Sequence, residues 1–128
     1  MGKGLQVMAK HPAGQFILLL LLALVLRGDT FGDPSLHGDE AFYWTVGVSM
    51  HHGALPYIDV WDRKPFGLFA IYYLIAGIAT APAAYQIAAT LAAAGTAWAI
   101  CAMALRRTGL QGGLFAGAVH LVDQEDPA

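Results

Sequence analysis

One polar stretch, Gly38–Gly67, carries an acidic pair, Asp39–Glu40, near its start and a basic pair, Arg63–Lys64, near its end. Adjacent carboxylates can share general-base work: one takes the proton of an acceptor hydroxyl while the other orients that hydroxyl or holds a metal ion. The same pair also suits a structural role, with Asp39 capping a helix that starts at Glu40 and Glu40 favouring the helix dipole. Two cations beside a helix N-terminus make a natural phosphate site. They serve equally as anchors among lipid headgroups. Trp44, Tyr57 and Trp61 could stack on a sugar ring or form an aromatic belt at a membrane surface. His37, His51 and His52, with Asp39, Glu40, Asp59 and Asp62, offer nitrogen and oxygen donors, but no metal-site spacing stands out. His51 and His52 suit the C-terminal turn of a helix.

The elements that must position these groups follow from composition. The chain has 128 residues, 57% hydrophobic and only 12% charged, with a mean hydropathy of +0.54. A soluble domain usually carries about 25% charged residues, so this balance predicts a membrane protein. A formal charge of −2 and the lack of a basic stripe argue against a nucleic-acid partner. The lone cysteine, Cys101, sits in an apolar run and reads as a small core residue.

The apolar runs predict an all-α, multi-span transmembrane protein with three spans and the start of a fourth. After a short basic lead with Lys3 and Lys10 comes the leucine-rich run Phe16–Leu26, and a first membrane helix is expected over 12–27, with Pro12 in its first turn. No small-x-small cleavage site follows, so the segment reads as retained rather than as a signal peptide. Residues 28–64 form an external loop. Within it an interfacial helix is expected over about 40–52, its apolar face built from Phe42, Val46 and Met50 with Tyr43 and Gly47, and ended by Gly53. Pro56–Asp62 reads as extended or turn, and Pro65 suits the first turn of a second span over 65–81. A third span is expected over 83–105, closed by Arg106 and Arg107, with Ala92–Gly95 suited to close helix packing. Residues 109–122 read as the start of a fourth span that stops at Asp123, which suggests a fragment of a longer bundle.

Taken together, these motifs are familiar. Asp39, Glu40 and Tyr43 form DExxY, and Pro56–Pro65 with Gly67 form PYxDVWDRKP-G, set between apolar runs. This resembles the N-terminal part of the GT-C membrane glycosyltransferases, close to the protein O-mannosyltransferase type (glycosyltransferase family 39) and the aminoarabinose-transferase-like and rhizobial lipopolysaccharide-transferase-like branches. The resemblance covers about residues 14–122. It implies inverting transfer of a sugar from a polyprenyl-phosphate donor to a lipid, glycan or protein acceptor, at the outer face of a cell membrane, with a bacterial inner membrane the natural setting. By this resemblance Asp39 is the base and Glu40 its partner. Lys64 contacts the donor phosphate, and Tyr43, Tyr57, Asp62 and Arg63 complete the substrate-binding set. Arg63 stands where the aminoarabinose branch has an acid, which weakens a metal role there and adds a cation for phosphate. The resemblance fixes no cofactor for this chain, and a divalent metal is compatible with it. A lipid phosphate leaves without a general acid, so one base and cationic stabilisation of the leaving group suffice. The family's topology keeps the N-terminus cytoplasmic. The distribution of Arg27, Arg63, Lys64, Arg106 and Arg107 favours the opposite orientation by the positive-inside rule.

Overall fold

The computed structural model describes residues 9–28, 31, 38–79 and 81–125. Among these, all regular structure is helical apart from one isolated bridge between Pro56 and Val60. Four helices follow in order: α1 (Pro12–Leu26), α2 (Gly38–His51), α3 (Phe66–Ile78) and α4 (Ala83–Glu125). The chain divides into two compact units, one of Met1–Asp29 with Ala89–Ala128 and the other of Thr30–Ala88.

In the first unit, α1 begins with proline at its first position, where the missing N–H costs no helical bond. Gln15, buried in this apolar helix, satisfies its amide by donating to the Ala9 carbonyl at 3.0 Å. Leu19 and Ala23 of α1 pack with Ala93, Ala94, Ala97, Cys101 and Leu121 of α4. Trp98 ties the same two elements by donating its indole N–H to the Pro12 carbonyl at 3.1 Å.

α4 is two limbs rather than one rod. Gly109 has φ 72 and ψ −175, outside helical geometry and tolerated by glycine. Beyond it the chain folds back. A Cβ at Gly113 would lie 3.0 Å from the Cys101 carbonyl oxygen, and one at Gly117 only 2.7 Å from that of Ala97. Advancing along the second limb thus retreats along the first, so the limbs are antiparallel and in backbone contact. Glycines four apart face Ala97 and Cys101, also four apart, which is the small-residue packing that apolar surroundings favour. Arg106 and Arg107 are exposed immediately before the turn.

The second unit holds α2 and α3 against each other. A Cβ at Gly47 would meet the Tyr72 backbone at 2.7 Å, so only glycine permits this crossing. The core is aromatic: Tyr43, Trp44, Phe69, Tyr72 and Tyr85, with Val46 and Ala76. The His51 ring stacks on Tyr73 at 4.0 Å and 11°. Its Nε2 lies 2.8 Å from the Tyr73 carbonyl, which can only accept, so that nitrogen carries the proton. Thr45, Ser49, Thr96 and Thr108 each bond the carbonyl four residues back, satisfying their hydroxyls within their own helices.

These elements refine the expected ones. α2 starts at Gly38, so Asp39 lies in the first turn instead of capping a helix that begins at Glu40. Its inner face carries Tyr43, Val46 and Gly47, and Phe42 is exposed. His51 reaches across to α3 and does not cap its own helix. α3 ends at Ile78 because Ala79 is extended, short of the expected limit at 81. Among the described residues, one helix, Ala83–Gln124, is long and apolar enough to cross a membrane. Its first limb, up to Gly109, measures about 39 Å at 1.5 Å per residue. α1 and α3, of 15 and 13 residues, fall below the roughly 20 that a membrane-spanning helix needs, so three spans do not follow from helix length.

Candidate functional site

The segment from Gly53 to Pro65 folds on itself before α3 begins. Gly53, with φ 94, ends α2: its N–H donates to Met50 at 3.1 Å and that of Ala54 to Ser49 at 3.1 Å. This is the double bond of a Schellman cap. Asp59 then closes a small ring, its Oδ2 accepting from the Leu55 N–H at 2.8 Å while its own N–H donates to the Leu55 carbonyl at 2.9 Å. Tyr57 donates its N–H to Val60 at 2.7 Å and its hydroxyl to the Lys64 carbonyl at 2.6 Å. Asp62 Oδ1 accepts from the Lys64 N–H at 3.2 Å. Two of the loop's carboxylates therefore hold backbone.

Lys64 is thereby held at both its amide and its carbonyl, and its ammonium sits 5.9 Å from the centre of the Tyr43 ring. This is cation–π distance, which is within about 6 Å. Tyr43 lies four residues after Asp39 and three after Glu40 on α2, so all three share one face. Asp39 is exposed and Glu40 half-buried. Phe69, fully buried, joins the two sides: its ring meets Tyr43 at 6.1 Å and Tyr57 at 5.7 Å, both edge-on.

The structure thus brings Tyr43, Tyr57, Asp62 and Lys64 into one cluster, with Asp39 and Glu40 a helical turn away. Arg63 is exposed beside it. Of the aromatics expected to offer a stacking surface, Trp44 is buried against Tyr85 at 5.6 Å and is not available. Trp61 is 79% exposed and meets Tyr57 edge-on at 6.4 Å. His37 lies outside the described residues. No group of three or more metal-binding side chains occurs among the described residues. Sequence reasoning missed Phe69 as the bridge between loop and helix, because nothing separates it from its apolar neighbours. Gly47 was visible only as one more member of an apolar face; a mid-helix glycine is a signal for close backbone approach.

Comparison with protein-family models, with curated proteins and with solved structures finds no match for this chain.

The arrangement can hold an anion. Lys64 carries its charge over an aromatic face, and the α3 N-terminus follows directly, with Pro65 at the N-cap and no side-chain cap. The carboxylates of Asp39 and Glu40, on the neighbouring helix, are suited to accept a proton from a hydroxyl brought near that anion.

Proposed function

We propose that this chain is the N-terminal portion of a membrane glycosyltransferase that moves a sugar, with inversion, from a polyprenyl-phosphate donor to an acceptor hydroxyl at the outer face. The observation that carries the reading is the convergence of the two charged ends of the polar stretch. Lys64 stands over Tyr43, one turn from Asp39 and Glu40. In this reading Lys64, with Arg63 nearby, neutralises the departing phosphate, Asp39 takes the acceptor proton and Glu40 orients the acceptor. Lipid surroundings are supported by large apolar side chains left on the outer faces of helices: Leu21 and Val25 on α1, Ile71, Leu74 and Ile78 on α3 and Phe115 on α4. α1, α3 and the limbs of α4 are the proposed crossings. The three short ones, α1, α3 and the second limb of α4, are accommodated by local bilayer thinning, and the N-terminus is cytoplasmic.

The test is Asp39→Asn in a full-length, membrane-inserted version of the enzyme, with transfer from a polyprenyl-phosphate sugar as the readout. Transfer should be abolished while insertion and helix content are kept. Retained transfer ends the assignment of Asp39 as base.

A second reading is favoured by one feature, the use of Asp59 and Asp62 as backbone acceptors. In it the segment is a self-contained fold of a non-catalytic membrane protein that binds lipid phosphate or only packs. A full-length, membrane-inserted version that binds a lipid phosphate yet transfers no sugar supports this second reading.

A further inference from the structure

We infer that Tyr57 is a positioning residue, whose hydroxyl fixes where the Lys64 ammonium stands. Tyr57 has φ 70, the single non-glycine residue with positive φ among the described residues. Side chains are disfavoured in that region, and such a residue persists only where its surroundings hold it. A glycine would remove the strain, so the tyrosine side chain has a task that glycine cannot do.

Its contacts say which. The Tyr57 N–H donates to Val60 at 2.7 Å, which closes the turn. The ring lies edge-on to buried Phe69 at 5.7 Å, which aims the hydroxyl. That hydroxyl donates to the Lys64 carbonyl at 2.6 Å, seven residues on, linking the start of the loop to its end. Asp62 holds the Lys64 amide from the other side. Pro65, at φ −65, then admits α3 directly. With both flanking peptide groups held, the Lys64 side chain is directed over Tyr43. Removal of the hydroxyl frees the carbonyl, and the ammonium leaves the ring. Tyr57 therefore acts through Lys64 and not as a stacking surface for a sugar. The consequence for phosphate binding rests on the function proposed above; the placement of Lys64 does not.

The experiment separates the two. The full chain in detergent is dimethylated on its lysines, Lys3, Lys10 and Lys64, with isotope-labelled formaldehyde, and the methyl signals are read by NMR. Lys64→Arg identifies the Lys64 signal. In the wild type it should be shifted upfield by the Tyr43 ring, and Tyr43→Leu should abolish that shift. Tyr57→Phe, which keeps the ring and its packing, should abolish it as well. A shift retained in Tyr57→Phe, or absent from the wild type, overturns the inference. In a second arm, farnesyl phosphate is titrated against unmodified protein. Lys64→Gln should weaken binding about tenfold, as expected for loss of a charge-assisted contact. Tyr57→Phe should weaken it several-fold alone and not at all on top of Lys64→Gln, because the two act as one unit. An equal loss in both backgrounds overturns the positioning role. Unchanged binding in Lys64→Gln overturns the phosphate reading and leaves the NMR arm to decide on Tyr57.

Discussion

Replacing Gly47 by alanine should loosen the frame on which the whole cluster stands. The added Cβ would lie 2.7 Å from both the carbonyl carbon and the oxygen of Tyr72, and 3.0 Å from the Tyr73 nitrogen. Ordinary contacts at such a carbon begin at 3.4 Å. All three neighbours are backbone, so no side chain can turn aside, and α2 and α3 must separate by roughly 0.7 Å as bodies in this tightly packed interior. Overpacking of this kind costs about 1–3 kcal/mol. Against it stands a gain of about 0.8–1 kcal/mol from alanine's better helix propensity. The net is a destabilisation of about 1 kcal/mol. A 0.7 Å displacement is also sufficient to take Lys64, now 5.9 Å from the Tyr43 ring, past the cation–π limit of about 6 Å. The check is thermal unfolding in detergent followed by circular dichroism, with Gly67→Ala as the control. Gly67 lies in the first turn of α3, and a Cβ there meets nothing within 4 Å. Gly47→Ala should melt several degrees below the wild type, and Gly67→Ala at or above it. If Gly47→Ala melts as high as Gly67→Ala, the close crossing of α2 on the Tyr72 backbone is refuted.

Gly117→Val should open the α4 hairpin, because its Cβ would stand 2.7 Å from the Ala97 carbonyl oxygen. The expected cost is about 1–3 kcal/mol, read as faster maleimide labelling of buried Cys101 than in the wild type. Gly53→Ala forces a side chain into φ 94 and should cost about 1–2 kcal/mol, seen as a lower melting temperature with the α3 helix retained. Trp98→Phe removes the indole bond to the Pro12 carbonyl and should cost about 1 kcal/mol. Hydrogen exchange at the start of α1 should rise in that variant.

Much of the architecture was legible from local rules. Pro12 had to open a helix because a proline is harmless where no N–H is needed. Gly53 had to close one because the left-handed cap favours glycine. The apolar runs marked α1, α3 and both limbs of α4 to within a few residues. The helix start at Gly38 was not legible: Asp39 is as good in a first turn as at a cap, and both positions favour an acid. The exposure of Phe42 was equally hidden. Positions 42 and 43 are both aromatic, and only the crossing at Gly47 selects which of them turns inward. Tyr57 carried no local signal of its positive φ, since that strain is held by Val60, Lys64 and Phe69.

The residues alone determined an apolar, helix-rich chain with one polar stretch that carries an acidic pair at one end and a basic pair at the other, because composition and period act through each residue's own neighbours in sequence. They determined which side chains could do chemistry: Asp39 and Glu40 at one end, Arg63 and Lys64 at the other. Only the tertiary structure decided that Lys64 meets Tyr43, a helical turn from Asp39 and Glu40. It also decided that Trp44 is lost to the core and that α4 folds back at Gly109 with glycine against carbonyl. Each of these depends on how closely two backbones approach, and that distance is fixed by packing between segments far apart in the chain.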